Sequence, residues 1–412
     1  MTDQPLSGRT VIDLTTALAG PYATLLLAGL GATVIKVENP ATGGDSSRNN
    51  APYVGRDGLS VSRQDPDDMS VSMLSRGRNK LSVTLDLKNP RAQLVFADLV
   101  RDADVLVENY SPGVTQRLGI DYDSVRALNP RLVYTSITGF GAQGGPGSGK
   151  AMDSIIQALS GVMMTAGEPD DGPVRFGLPV GDMLAPLFAV VGTVSALLQA
   201  EHTGEGQHVD VSMLGALTSL VACEPFDAFE TVGMPQRTGS MVPRLAPFGI
   251  LPAADGHVAL CAPTDSFAHG VFRAIGRPEL IDDDRFHGRD ARVRNADELH
   301  DLVRAWCRNR TLAEVLSALT AEGVPAAEVR EPHAAVRDPL VRQRKEVVPI
   351  AHPRHGQVAD LASTGIPIRF STARAGFDHS APFLGEHNDV VYRQRLGYTA
   401  EEVAELEAEA VI

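Results

Sequence analysis

The first 150 residues alternate between two apolar rhythms. TVIDLT (10–15) is a short β-branched run, GPYATLLLAGLG (20–31) follows with helical spacing, and ATVIKVE (32–38) returns to the strand pattern. Strand, helix and strand in that order predict a βαβ unit. KLSVTLDL (80–87), DVLVENY (104–110), LVYTSITGF (132–140) and HVDVSM (208–213) read as further strands, and RAQLVFADLVRDA (91–103) reads as a helix between two of them. Such alternation predicts an α/β fold with a mainly parallel sheet covered on both faces. MLAPLFAVVGTVSALLQAEH (183–202) is apolar on nearly every side, which predicts a buried helix.

The texture changes near residue 225. From there to about residue 330 come short strands such as HVALCAP (257–263), a charged segment (281–301) and two amphipathic helices. These predict a smaller α+β domain. The tail from 331 passes through Pro- and His-containing turns to an acidic helix that reads as a solvated face. The expected division is a large domain over 1–225, a small one over 226–330 and a return to the large domain over 331–412.

Composition narrows the function classes. The chain has 412 residues, 43% of them hydrophobic and 21% charged, which fits a well-cored globular protein of two domains. No run of eighteen apolar residues is seen, so no membrane span is expected. MTDQPLSGRT lacks the basic and apolar regions of a signal peptide. Cys223, Cys261 and Cys307 are odd in number and far apart, which fits neither a disulfide framework nor a zinc site and agrees with a reducing cytoplasm. The net charge of −14 argues against a nucleic-acid partner but leaves room for an anionic small ligand held by a local cationic cluster.

Several motifs fail on chemical grounds. The first βα turn, TTALAGPYA, holds only Gly20 where a dinucleotide cradle needs three glycines, so Glu38 at the end of the second strand carries no nicotinamide reading. GGPGSGKA (144–151) matches G-x-x-x-x-G-K, but Ala151 stands where the Mg²⁺-holding hydroxyl belongs. All eleven histidines lie at or beyond residue 202 and no G-x-S-x-G elbow occurs, which leaves a serine or cysteine hydrolase without support. His352 and His355 in HPRH read as a surface turn rather than a metal site. The basic groups SRGRNK (75–80), Lys88 and Arg117 read, on their own, as solvated surface. One residue stays conspicuous: Asp182, the lone acid in LPVGDMLAPL (178–187), just ahead of the long apolar helix. It reads either as a helix cap or as a nucleophile.

Taken in order, LTTALAGPYATLLLAGLGATVIKVE, SRGRNKLSVTLDLKNP, ADVLVENYSPGVTQRLGIDY, NPRLVYTSITGFG, GPVRFGLPVGD, TGEGQHVDVSM and PFLGEHNDVV resemble the type III CoA-transferases, whose relatives include a 2-methylacyl-CoA racemase branch. The resemblance implies a Rossmann-like large domain with its parallel sheet built from both chain ends, an inserted small domain, and an interlocked homodimer. It implies acyl-CoA and carboxylic acid substrates, with CoA thioesters as substrate rather than as a tightly bound cofactor. It places CoA against Thr16, Ala17, Leu18, Ala19, Leu85, Lys88, Asn109, Tyr110, Arg117, Leu118 and Lys150. It makes Asp182 the acyl-accepting nucleophile, passing through an aspartyl–acyl anhydride and an aspartyl-CoA thioester. Three positions depart from the family pattern. Leu18 replaces a glutamine of the formyl-CoA branch, Asn39 replaces an arginine, and GSMVPRLAPFG (239–249) stands where oxalate-using members have a glycine-run loop. The racemase branch needs a histidine near Asp153, where this chain has Ala151 and Met152. A non-catalytic subunit of a hetero-oligomer is the other alternative, and Asp182 counts against it.

Overall fold

The computed structural model describes residues 4–145, 149–242 and 244–412. The chain forms two compact units, one from residues up to 160 with 177–223 and 336–412, the other from 161–176 with 224–335. The segment 161–176, which the sequence pattern left in the large domain, joins the smaller unit. The Val174 N–H donates to Met163 O (2.9 Å), and Gly239 N–H donates to Gly167 O (3.1 Å).

In the larger unit, β1 (Thr10–Asp13) and β2 (Thr33–Glu38) flank α1 (Ala19–Gly29). A small antiparallel sheet of β3 (Tyr53–Gly55), β4 (Gly58–Ser60) and β5 (Met69–Ser70) precedes α2 (Val71–Arg76). Then come β6 (Lys80–Thr84), α3 (Ala92–Arg101), β7 (Val105–Glu108), α4 (Val114–Leu118), α5 (Tyr122–Leu128) and β8 (Val133–Thr138). α6 (Asp153–Leu159), α7 (Val180–Thr203), β9 (His208–Ser212) and α8 (Met213–Val221) complete the set. The main sheet is six-stranded and parallel, in the order β6-β2-β1-β7-β8-β9. This is the doubly wound order, and its winding reverses between β1 and β7. The loops leaving those two strands, residues 14–18 and 109–113, therefore diverge and open a crevice at the carboxyl edge of the sheet. All four residues of β1 and of β7 are buried, as a sheet covered on both faces requires.

The tail does not supply strands to this sheet, contrary to the expectation drawn from the resemblance. Its His387 N–H donates to Ser82 O (2.9 Å), and the Asn388 side chain accepts from Thr84 N–H (2.9 Å), so loop groups satisfy the β6 edge. Val391, Tyr392, Val403, Leu406 and Val411 of the tail then fill the core beside Ile12, Leu14, Phe96 and Leu106. The tail also forms a two-stranded sheet of its own, β10 (Val347–His352) with β11 (Gly356–Thr364).

α7 begins at Val180, earlier than its apolar pattern indicates, and only one face is buried. That face packs on α1, β8, β9 and α8. Leu187, Phe188, Val191 (65% exposed) and Leu198 (58%) lie outward. By length and composition α7 is apolar enough to cross a bilayer, contrary to the sequence expectation, although its inner face is a core surface of the unit. The smaller unit is a three-stranded antiparallel sheet (Phe248–Pro252, His257–Cys261 and Ala326–Glu328). Helices Asp265–Ala274, Ala296–Arg308 and Leu312–Ala321 join it around a core including Val258, Phe272, Phe286 and Leu299.

Candidate active site

The crevice rests on charges set inside strands. Asp13 ends β1, Lys36 lies in β2 and Lys80 opens β6, all fully buried. Lys80 Nζ is 2.9 Å from Asp13, and Lys36 Nζ is 2.8 Å from Asp45 and donates to Thr15 O (2.8 Å). Burial alone would push the Asp13 carboxyl up, but the Lys36 and Lys80 ammoniums hold it well below the usual carboxylate range. Burial brings Lys80 down to about 8 despite Asp13.

This network fixes the first βα turn. Asp45 accepts from Ala17 N–H (2.9 Å) and Ser47 N–H (2.8 Å). The Asn109 side chain both accepts from Thr16 N–H and donates to Thr16 O, each at 2.9 Å. Ala17 is held in the left-handed region at φ 68°, a strained conformation that persists because its surroundings over-determine it. A Cβ on Gly20 would lie 2.3 Å from the Thr15 Cβ, so only glycine lets α1 start this close to the turn. No side chain caps α1, so its first N–H groups, those of Ala19 and Gly20, have no side-chain cap.

Two adjoining cavities open there. One, about 330 Å³, is lined by Thr16, Ala17, Leu18, Ala19, Asn109, Tyr110, Gly149, Met152, Asp153 and Asp182 among others. The second, about 210 Å³, is lined by Thr16, Asn39, Leu85, Lys88, Tyr110 and Leu118 among others. Thr16 and Tyr110 border both. Of the sequence-predicted residues, these cavities gather Thr16, Ala17, Leu18, Ala19, Leu85, Lys88, Asn109, Tyr110, Leu118 and Asp182. Arg117 and Lys150 are exposed and line neither, although Lys150 follows Gly149 directly. Of GGPGSGKA, residues 146–148 lie outside the described ones.

Asp182 sits inside the first turn of α7 rather than ahead of it, and it is not the cap. Asp153 of α6 fills that role, accepting from Gly181 N–H (2.8 Å) and Asp182 N–H (3.4 Å) and from the Gln157 side chain (2.7 Å). A Cβ on Gly181 would come 3.2 Å from an Asp153 carboxylate oxygen, so glycine admits this close approach. Four residues on, Pro186 offers no N–H to the Asp182 carbonyl. Burial, reinforced by the Asp153 charge and opposed by Arg76, pushes the Asp182 carboxyl up to about 6. Desolvation thus outweighs the pull of the α7 N-terminus toward the ionised form.

SRGRNK is not a surface patch. Arg78 and Lys80 are buried and Arg76 is half-buried. Arg78 donates to Ser75 O (2.8 Å) and Thr364 O (2.7 Å). HPRH is likewise only partly superficial, since His352 is buried, bonds Asp67 O (2.9 Å) and stacks on His355. The sequence reading missed Asp13, Lys36, Asp45 and Asp153. A charge inside the runs TVID and TVIKVE is the signal that marks the first two, because a buried strand tolerates one only with a partner.

The sequence pattern of CoA-transferase family III matches residues 6–388, and the chain belongs to that family of enzymes. It is 34% identical to succinyl-CoA–D-citramalate CoA-transferase of Chloroflexus aurantiacus over 99% of this chain and 98% of that protein. It is 33% identical to succinate–glutarate CoA-transferase of Agrobacterium fabrum, covering 93% of this chain and 94% of the relative. A CaiB/BaiF family protein from Brucella suis superposes with a TM-score of 0.81 at 30% identity, covering 96% of this chain and 100% of that structure.

Proposed function

We propose that this chain moves CoA from an acyl-CoA donor, succinyl-CoA being the first to test given the relatives above, to a carboxylic acid acceptor through Asp182. The observation that carries the reading is Asp182 itself. It is a desolvated carboxylate with its pKa raised to about 6, in the same cavity as the turn at the sheet's switch point. Above that pKa it is ionised, and its raised basicity makes it a better nucleophile than an ordinary carboxylate. The Asp182 oxygen attacks the thioester carbon, the C–S bond breaks, and CoA leaves as thiolate from an aspartyl–acyl anhydride. The thiolate attacks the aspartyl carbonyl, expelling the donor acid and leaving an aspartyl-CoA thioester. The acceptor carboxylate attacks that thioester, and the released thiolate attacks the acceptor's carbonyl, regenerating Asp182. Each step conserves an activated acyl bond, so water must be scarce. With Leu18 in place of glutamine, the uncapped N–H groups at the start of α1 are the donors for the oxyanion.

CoA lies across the two cavities, its thioester near Asp182 and its nucleotide toward Leu85, Lys88 and Leu118. Arg117 and Lys150 meet phosphates at the margins. The outward apolar face of α7 is covered by a second copy of the chain. No histidine lines the Asp182 cavity among the described residues, which disfavours two-base racemisation. The test is Asp182→Asn and Asp182→Ala. Both should lower transfer a thousandfold or more, and either variant keeping a tenth of the wild-type rate would end the nucleophile reading.

A further inference from the structure

Outside the crevice, the larger unit holds a cavity of about 810 Å³, more than the two crevice cavities together. Arg78, the β10–β11 sheet with the residues just before it, and residues 374–380 form its wall. No wall residue is shared with either crevice cavity. It lies at the far end of α1 from the acyl site. The Gly376 N–H donates to the carbonyl of Gly29 (2.8 Å), the last residue of α1, whereas the crevice turn precedes the first. A helix of 11 residues puts about 16 Å between those ends.

The chain carries a net charge of −14, yet this wall is cationic. Arg78, Arg342, Lys345 and Arg374 line it against two carboxylates, Asp360 and Asp378. Arg374 takes Asp378 with both arms, at 2.9 and 2.7 Å. The other three cations make no ion pair among the described residues. Arg342 Nε donates to Val336 O (3.3 Å), and Arg78 directs Nε and Nη2 at Ser75 O and Thr364 O. Arg78 Nη1 is buried with no hydrogen-bonding partner, and Arg78 as a whole is 4% exposed. Burial lowers the Arg78 pKa to about 10, and no acid opposes that shift. A buried cation without a counter-charge is costly, and an anion nearby relieves the cost. Arg342 and Lys345 are exposed, and the Lys345 N–H donates to Arg342 O (3.0 Å), which keeps these two cations on one turn. Val347, Leu361 and Phe377 add apolar wall, and the Arg78 guanidinium stacks 4.2 Å from the Phe377 ring centre.

We propose that this cavity is a second ligand site, separate from the acyl-transfer crevice, and that it takes an organic anion with an apolar body. The anionic group meets Lys345 and Arg342, and Arg78 adds its uncompensated charge across the Phe377 ring. The apolar body lies along Val347, Leu361 and Phe377. A small inorganic ion would leave most of this volume and its apolar wall wet, and a neutral apolar ligand would desolvate the cations without pairing them.

The probe is naphthalene-1-sulfonate, a flat apolar anion whose sulfonate is not a carboxylic acid acceptor for CoA. Its neutral counterpart is naphthalene-1-sulfonamide. Each is titrated calorimetrically into the CoA-saturated protein, so that the crevice is already filled. The sulfonate should bind saturably, and the sulfonamide roughly tenfold more weakly or worse. Lys345→Met and Arg342→Met, both changes at exposed positions, should each weaken the sulfonate by roughly tenfold and leave the sulfonamide within about threefold of the wild type. Equal affinity for the two probes, or sulfonate binding that ignores both substitutions, would overturn the proposal. So would the absence of saturable binding to the wild type. If Lys345→Glu then shifts the protein toward monomer in light scattering, the cavity belongs to the contact with a second copy instead.

Discussion

As the proposed acyl acceptor, Asp182 must be desolvated enough to protect its intermediates and still charged enough to attack. A carboxyl at about 6, with Asp153 and burial raising it and Arg76 opposing, meets both demands at neutral pH. The rate of the acyl-accepting step should therefore fall about tenfold per unit as pH drops below 6, read from kcat/KM for acyl-CoA against pH. Stability carries the opposite signature. A folded pKa of about 6 against the ordinary aspartate value of 3.8 means that the folded state holds the proton more tightly. The contribution is whole below pH 4 and is lost as pH rises through 6, about 3 kcal/mol from the shift and about 2 once screening of this partly exposed group is discounted. Asp182→Asn, which has no charge to bury, should be more stable than wild type by about that amount at pH 8 and equal to it below pH 4. Urea unfolding at the two pH values measures the difference. A loss of stability at pH 8 would show that burial does not raise the Asp182 pKa as described. Asp182 was legible in the sequence because a single acid interrupts an apolar run. Its raised pKa was not legible, because it depends on burial and on Asp153 and Arg76, which only the fold brings near it.

The element that shapes the crevice is the turn between β1 and α1. Its geometry is enforced from outside by Asp45 on Ala17 and Asn109 on Thr16. Asp45→Ala should leave Lys36 without its 2.8 Å counter-charge and free Ala17 from its strained φ. The expected cost is about 3–5 kcal/mol in denaturant unfolding, together with a raised KM for acyl-CoA. A variant as stable as wild type would show that the network does not hold the turn. The turn itself was visible as the gap between TVIDLT and the following helix. Its clamp was not, since Asp45 lies in a segment without strand or helix periodicity. The start of α7 was misplaced for a related reason: its first turn is capped by Asp153, 29 residues earlier than Asp182, and a cap so distant leaves no local pattern.

At the scale of the whole molecule, alternating apolar runs were enough to indicate a mainly parallel sheet covered on both faces, but not its strand order. They did not reveal that residues 161–176 belong with the smaller unit, because that stretch has no periodicity, nor that the tail enters the core by side chains rather than as strands. The near-uniform apolarity of α7 has a second meaning in the structure. One face is core, and the other exposes Phe188 and Val191, the face proposed above to be covered by a second copy. Light scattering should give twice the chain mass at micromolar concentration, and Val191→Asp should shift the protein toward monomer. A wild-type monomer would reject the paired assembly. The central claim, that Asp182 carries CoA covalently, is tested most directly by intact-mass spectrometry of the protein mixed with succinyl-CoA and quenched during turnover. The account predicts a population heavier by one CoA less one water, mapped to the Asp182 peptide and absent from Asp182→Asn. An unmodified chain under turnover, or the same increment on Asp182→Asn, would contradict it.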